Sequence, residues 1–97
     1  MRAETGRSLR ATTFAFLDTE TTGLAPGRGA RVCEIAILAV CNGKVKESFA
    51  SLVNPGCPID PGAQRIHGIT DAMVADSPCF ADLAAAVERM LSGTVVV

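Results

Sequence analysis

The 97 residues contain no tryptophan, no tyrosine and a single histidine. Any core must therefore rest on aliphatic side chains and four phenylalanines. Net charge is −1, so the molecule as a whole exerts no pull on a polyanion. Nucleic-acid contact would have to be local, or carried by bound cations. The four cysteines, Cys33, Cys41, Cys57 and Cys79, include no C-x-x-C pair. With one histidine, that spacing argues against a structural zinc site. The cysteines read instead as small buried hydrophobes in a reducing compartment. The longest apolar run, Val32 to Cys41, is interrupted by Glu34 and is too short to span a bilayer. The opening MRAETGRSLRATT has basic residues with no apolar stretch behind them, which is not a signal-peptide pattern. Together with 48% hydrophobic and 20% charged residues, these absences lead to the expectation of a soluble, cytoplasmic protein with no membrane partner. The length suits one small domain or a piece of one.

What is present falls into short segments. Residues 1–12 are polar and aperiodic and read as a disordered tail, which leaves 13–97 as a single folded unit. Phe14 to Asp18 predicts a strand that is apolar on both faces until Asp18, as in a strand covered on both sides. Arg31 to Cys41 and Lys44 to Val53 predict two more strands. Asn42-Gly43 between them is a hairpin signal, because both turn positions take positive φ. In the third strand, simple alternation places Val45, Phe49 and Val53 on one face. Asp60-Pro61 starts a short helix that Gly68 stops, and Thr70 or Asp71 caps another turn. Phe80, Leu83, Ala84, Val87, Met90 and Leu91 predict a helix from about Phe80 to Ser92 with Gly93 as its stop. Thr94 to Val97 reads as the start of a buried strand. The expected fold class is α/β, with strand order 3-2-1-4 and the last strand parallel to the first.

The stretch FAFLDTETTGL poses the chemical question. Asp18 and Glu20 are two residues apart at a strand end, and side chains at i and i+2 of an extended segment share a side. Two carboxylates held together repel unless a cation sits between them. Magnesium suits such a pair, because it keeps waters and phosphate oxygens in its shell. Two metals about 3.5–4 Å apart could activate water and stabilise a leaving oxygen. The plainer alternative is a solvated strand end carrying two acids by chance. Glu34 interrupts the second strand and has no assigned role.

The longer string resembles the first motif of the DnaQ-like 3'→5' exonucleases of the DNA polymerase III epsilon-subunit type. The likeness continues through EIAIL at Glu34 to Leu38, the Asn-Gly hairpin, VNPGCPID, IHGIT at Ile66 to Thr70, and TVVV, so it covers about residues 13 to 97. It implies a ribonuclease H-like mixed sheet, incomplete at its C-terminal side, and proofreading-type hydrolysis of phosphodiesters at a nucleic-acid 3' end. It implies Asp18 and Glu20 as catalytic metal ligands for Mg²⁺ or Mn²⁺, two per complete site. Thr21, Thr22, Gly23, Leu24, Ile66 and His67 would meet the substrate. Leu24 would act as an apolar wedge on the last bases, the alternative being a loop residue tucked into the core. His67 would line the base or sugar pocket, the alternative being a helix-end histidine bonded to backbone. The implied partners are a single-stranded DNA 3' end, with RNA admitted, and a DNA polymerase subunit. The family's later motifs should supply two more acids and a histidine general base. Glu34, Glu47, Asp60, Asp71, Asp76, Asp82 and Glu88 stand in no matching context. The expectation is the N-terminal part of such a domain, which by itself binds Mg²⁺ or Mn²⁺ poorly and shows little turnover. The other readings are a catalytically dead fragment or partner-binding α/β module, and an unrelated small α/β domain.

Overall fold

The structure is a computed structural model, and it describes residues 12–23 and 30–97. The N-terminal tail read from the sequence and Leu24 lie outside those residues, apart from Thr12. The element order is β1 (Thr13–Thr21), β2 (Val32–Cys41), β3 (Lys44–Leu52), α1 (Pro61–His67), α2 (Asp71–Val74), α3 (Phe80–Leu91) and β4 (Val95–Val96). The strands form one sheet in the order β3-β2-β1-β4. The first two pairings are antiparallel, and β4 runs parallel to β1. This is the topology expected from the sequence.

Local chemistry accounts for each element. Asn42 at φ 54° and Gly43 at φ 73° close the β2–β3 hairpin with the two positive angles its twist requires. Pro61 opens α1, where its missing N–H costs nothing, and Gly68 ends it in the left-handed region at φ 75°. Thr70 caps α2 by accepting from the Met73 N–H. The Asp82 carboxylate accepts from the Cys79 N–H at 3.2 Å, closing the first turn of α3. Among the described residues, no helix is long and apolar enough to cross a membrane.

The core has two parts. Ala15, Ile35, Ile37, Ala39 and Val53 of the sheet side meet Val87 and Met90 of α3. Each of the larger aliphatic residues contributes about 1.5–3 kcal/mol on burial. The second part joins Cys33 to Ile59, Ala63, Ile69 and Val74, so it seats α1 and α2 at one end of the sheet. Phe80, at the head of the predicted apolar stripe, is exposed, because α3 meets the sheet further along.

Several sequence readings need correction. Val95 and Val96 of β4 are about half exposed rather than buried, and of the four cysteines only Cys33 is buried, with Cys79 exposed. β1 continues past Asp18 to Thr21, because β2 pairs with it all the way down. The face of β1 away from α3 is uncovered among the described residues: Phe16 there is 45% exposed and Leu38 beside it 39%. Val45 does not share a face with Phe49. The pairing steps from Ala39↔Glu47 to Val40↔Val45, so Lys46 is an unmatched extra residue. Such a bulge inverts the alternation beyond it and leaves Val45 exposed.

Candidate active site at the end of the first strand

Alternation along β1 puts Ala15 on the α3 face and therefore Phe16, Asp18 and Glu20 on the open face. Asp18 is exposed and Glu20 half-buried. Neither carboxylate makes a hydrogen bond or ion pair with another described residue. Asp18 borders a shallow apolar trough of about 330 Å³, which Phe16, Ala36, Leu38, Ser48 and Ala50 help to line. Ala36 lies opposite Asp18, so the strand next to the carboxylate is small and leaves it room.

Glu34 is the direct cross-strand partner of Glu20. Two like charges facing each other on one sheet face oppose folding. The residue with no assigned role in the sequence thus belongs to the same acidic face. The next pair is Thr21↔Val32, which leaves Cys33 without a partner in β1. Cys33 follows the alternation of Ile37 and Ile35 onto the covered face and is fully buried in the second core. Burial pushes its thiol pKa up, and the Glu20 and Glu34 carboxylates push it the same way. Cys33 is accordingly a neutral thiol beneath the acids.

The turn after Glu20 is held from three sides. The Thr22 N–H donates to the Arg31 carbonyl at 2.8 Å, and the Arg31 N–H donates back to the Thr22 hydroxyl at 2.9 Å. The Thr22 carbonyl accepts from the Asp60 N–H at 2.8 Å, at the head of α1. The Thr21 hydroxyl donates to the Gly23 carbonyl at 2.6 Å. The Thr21 carbonyl accepts from His67 Nε2 at 2.9 Å, at the tail of α1. Gly23 has a steric reason to be glycine, since an added Cβ would lie 2.8 Å from an Asp60 carboxylate oxygen.

Asp18, Glu20, Thr21, Thr22, Gly23 and His67 are therefore contiguous. Thr22 is 4% exposed, with its N–H, carbonyl and hydroxyl all committed to the protein. His67 is a helix-end histidine bonded to backbone at both ring nitrogens, the alternative that the sequence left open. Ile66 presents an exposed apolar side chain from the same helix. Glu34, Asp60 and Arg31 were not identified from the sequence. Glu34 carried one signal, a charge inside an apolar strand.

Hard oxygen donors with no cationic partner among the described residues fit a divalent ion such as magnesium, which is bound through one or two carboxylates, with waters and phosphate completing its shell. Among the described residues, no group of three or more His, Cys, Asp or Glu side chains comes together to hold a metal. The profile of the exonuclease family of RNase T type matches residues 15–97. The chain belongs to the exonuclease family. Relatives in that family include a DNA polymerase III subunit epsilon-like protein of Rhodobacter capsulatus, 42% identical over 87 residues. That match takes in 88% of this chain and 12% of the relative. Exodeoxyribonuclease 10 of Escherichia coli is 46% identical over 68 residues, 70% of this chain and 29% of the relative. The exonuclease-family chain thus spans less than a third of either protein. Among solved structures, Exonuclease X in complex with 5' overhanging duplex DNA superposes with a TM-score of 0.64 at 35% identity. That superposition covers 84% of this chain and 55% of Exonuclease X. E. coli Exonuclease I in complex with an oligonucleotide gives 0.75 at 26% identity, covering 88% of this chain and 20% of that one. These neighbours share the ribonuclease H-like fold. The family generally uses divalent metal ions.

Proposed function

We propose that the chain supplies the N-terminal part of a 3'→5' exonuclease domain that removes nucleotides from a DNA 3' end. The observation that carries this reading is the placement of Asp18 and Glu20. They lie on one face at the end of β1, without a partner among the described residues, directly before a pinned Thr-Thr-Gly turn. Divalent metals at this site would supply a polarised phosphoryl oxygen and an activated water. Asp18, on the regular part of the strand, is the proposed ligand shared by two metals. Glu20 would hold one of them, and Glu34 opposite it adds to the negative potential that attracts them.

The remaining roles are distributed by which groups are free. The backbone and hydroxyl of Thr22 are used internally, so it acts by holding the turn. Gly23 is buried beside Asp60, and its missing side chain is what would let the backbone of this turn come close to the terminal nucleotide. Leu24 is the proposed wedge, and the exposed Ile66 supplies apolar contact to the last base or sugar. Two further carboxylates and a general-base histidine would come from outside these 97 residues. The substrate is a single-stranded 3' end, DNA before RNA. Relatives named as polymerase III epsilon subunits make a DNA polymerase the first partner to test.

Two carboxylates cannot fix two metals, and the chain's single histidine is bonded to backbone at both ring nitrogens rather than free to take the proton from water. The 97-residue polypeptide assayed by itself should therefore digest single-stranded DNA at no more than a trace rate. The decisive assay is a chimera in which this chain replaces the matched segment of E. coli exodeoxyribonuclease 10. The chimera should shorten a 5'-labelled single strand in Mg²⁺, and Asp18→Ala should cost about a hundredfold or more, the rate equivalent of roughly 3 kcal/mol of lost charge stabilisation. An active chimera indifferent to Asp18→Ala would refute the proposal.

A further inference from the structure

We infer that His67 is a positioning residue, which pins the Thr21 carbonyl and so aims the Glu20 carboxylate and the Gly23 backbone at the metal and the 3' end. The inference rests on the reading of Asp18 and Glu20 as metal ligands.

The bonding pattern assigns the tautomer. The Ile69 N–H is a donor, and it lies 3.0 Å from His67 Nδ1, which must therefore accept. The ring proton is then on Nε2, and it points at the Thr21 carbonyl 2.9 Å away. Cys33 Sγ lies 3.9 Å from the same nitrogen, a more distant neighbour than the Thr21 carbonyl. Ring orientation is set by the backbone. Gly68 takes φ 75°, which folds the chain so that the Ile69 N–H comes back onto Nδ1. Ile69 and Ala63 anchor both flanks of this segment in the second core.

The result is a clamp built by one helix. Its N-cap residue, Asp60, donates to the Thr22 carbonyl, and its last residue, His67, donates to the Thr21 carbonyl. Two consecutive carbonyls directly after Glu20 are thus tied to the two ends of α1. The Thr22 N–H reaches across to Arg31 on the β2 side, so the Thr21 carbonyl of the same peptide points to the other edge of β1. On that edge β4 pairs only with Phe14 and Ala15, so at Thr21 the histidine stands where a strand partner would. It touches neither metal nor reacting atoms, and it acts through Thr21.

Two measurements on the 97-residue polypeptide test this. It carries one histidine, so ¹⁵N-histidine labelling reports His67 alone. A long-range ¹H–¹⁵N spectrum should show the proton on Nε2 and a bare, accepting Nδ1; the opposite tautomer, or a rapid mixture, would overturn the clamp whatever the metal does. The second measurement uses Mn²⁺ alone, read as paramagnetic broadening of amide signals from Thr19 to Gly23. His67→Gln places a donor near Nε2, whereas His67→Asn keeps an acceptor for the Ile69 N–H and loses the reach to Thr21. Gln should broaden at Mn²⁺ concentrations close to wild type, and Asn should need about tenfold more, the usual cost of losing an orienting partner behind a ligand. Equal Mn²⁺ response in the Asn and Gln variants, with wild type responding, would overturn the positioning role alone. The two-carboxylate site binds weakly, so Mn²⁺ is titrated to saturation of a weak site; no broadening around Asp18 and Glu20 in wild type even there would overturn the metal reading and the role built on it, while the tautomer spectrum still reports the clamp.

Discussion

Glu34→Gln should stabilise the metal-free protein while weakening its hold on magnesium. Glu34 and Glu20 are direct cross-strand partners on the open face. Their carboxylates reach roughly 6 Å apart from Cβ atoms about 5 Å apart. In a water-like dielectric, two unit charges at that distance repel by about 0.7 kcal/mol. Screening at 0.1 M salt, with a Debye length of about 10 Å, lowers this to about 0.4 kcal/mol. For a domain of this length, that gain corresponds to roughly 2–3 °C in melting temperature. The assay is unfolding followed by far-UV circular dichroism in chelator, at micromolar protein and in low and high salt. Glu20→Gln should give a similar gain, and the double variant no more than either single, because one pair is removed in all three. The gain should shrink in high salt, and added Mg²⁺ should stabilise wild type more than Glu34→Gln. Destabilisation by Glu34→Gln, or simple additivity of the two variants, would refute the proposed facing of these carboxylates.

Other consequences are as direct. Ile37→Ala empties the centre of the α3-side core and should cost about 2–5 kcal/mol, read as loss of the native circular dichroism signal near room temperature. Gly23→Ala should cost about 1 kcal/mol as the Asp60 side chain leaves its rotamer, and Asp60→Ala should recover most of it in a double-mutant cycle. Cys33 has its acid pKa raised in the fold, so the folded chain retains a proton that the unfolded chain releases. Its contribution is full below the ordinary thiol value of 9.0 and is lost as pH rises above it. Urea midpoints should therefore fall on the alkaline side, and Cys33→Ala should flatten that limb.

The topology was legible because its signals are local. Asn42-Gly43 announces the hairpin, the stripe from Leu83 to Leu91 announces α3, and a helix followed by TVVV places a parallel strand beside β1. That Asp18 and Glu20 face the same side was legible for the same reason, since two-residue spacing on a strand fixes a shared side. Bulges were not legible. One extra residue at Cys33 and one at Lys46 leave no trace in composition, yet each inverts the facing of the residues beyond it. Glu34 could be paired with Glu20 only once the β1–β2 register was known. The His67 clamp joins residues 46 apart in the chain, a distance over which no periodicity speaks. The Gly23 contact with Asp60 hides in the same way behind a motif glycine that reads as a substrate-facing turn.

The most direct test of the central claim is a crystal of the protein soaked in Mn²⁺, with anomalous scattering recorded at the manganese edge. The expected result is a peak about 2.1 Å from a carboxylate oxygen of Asp18, with a Glu20 oxygen in the same coordination shell. Carboxylates that point apart, with no anomalous peak between them at saturating Mn²⁺, would contradict it.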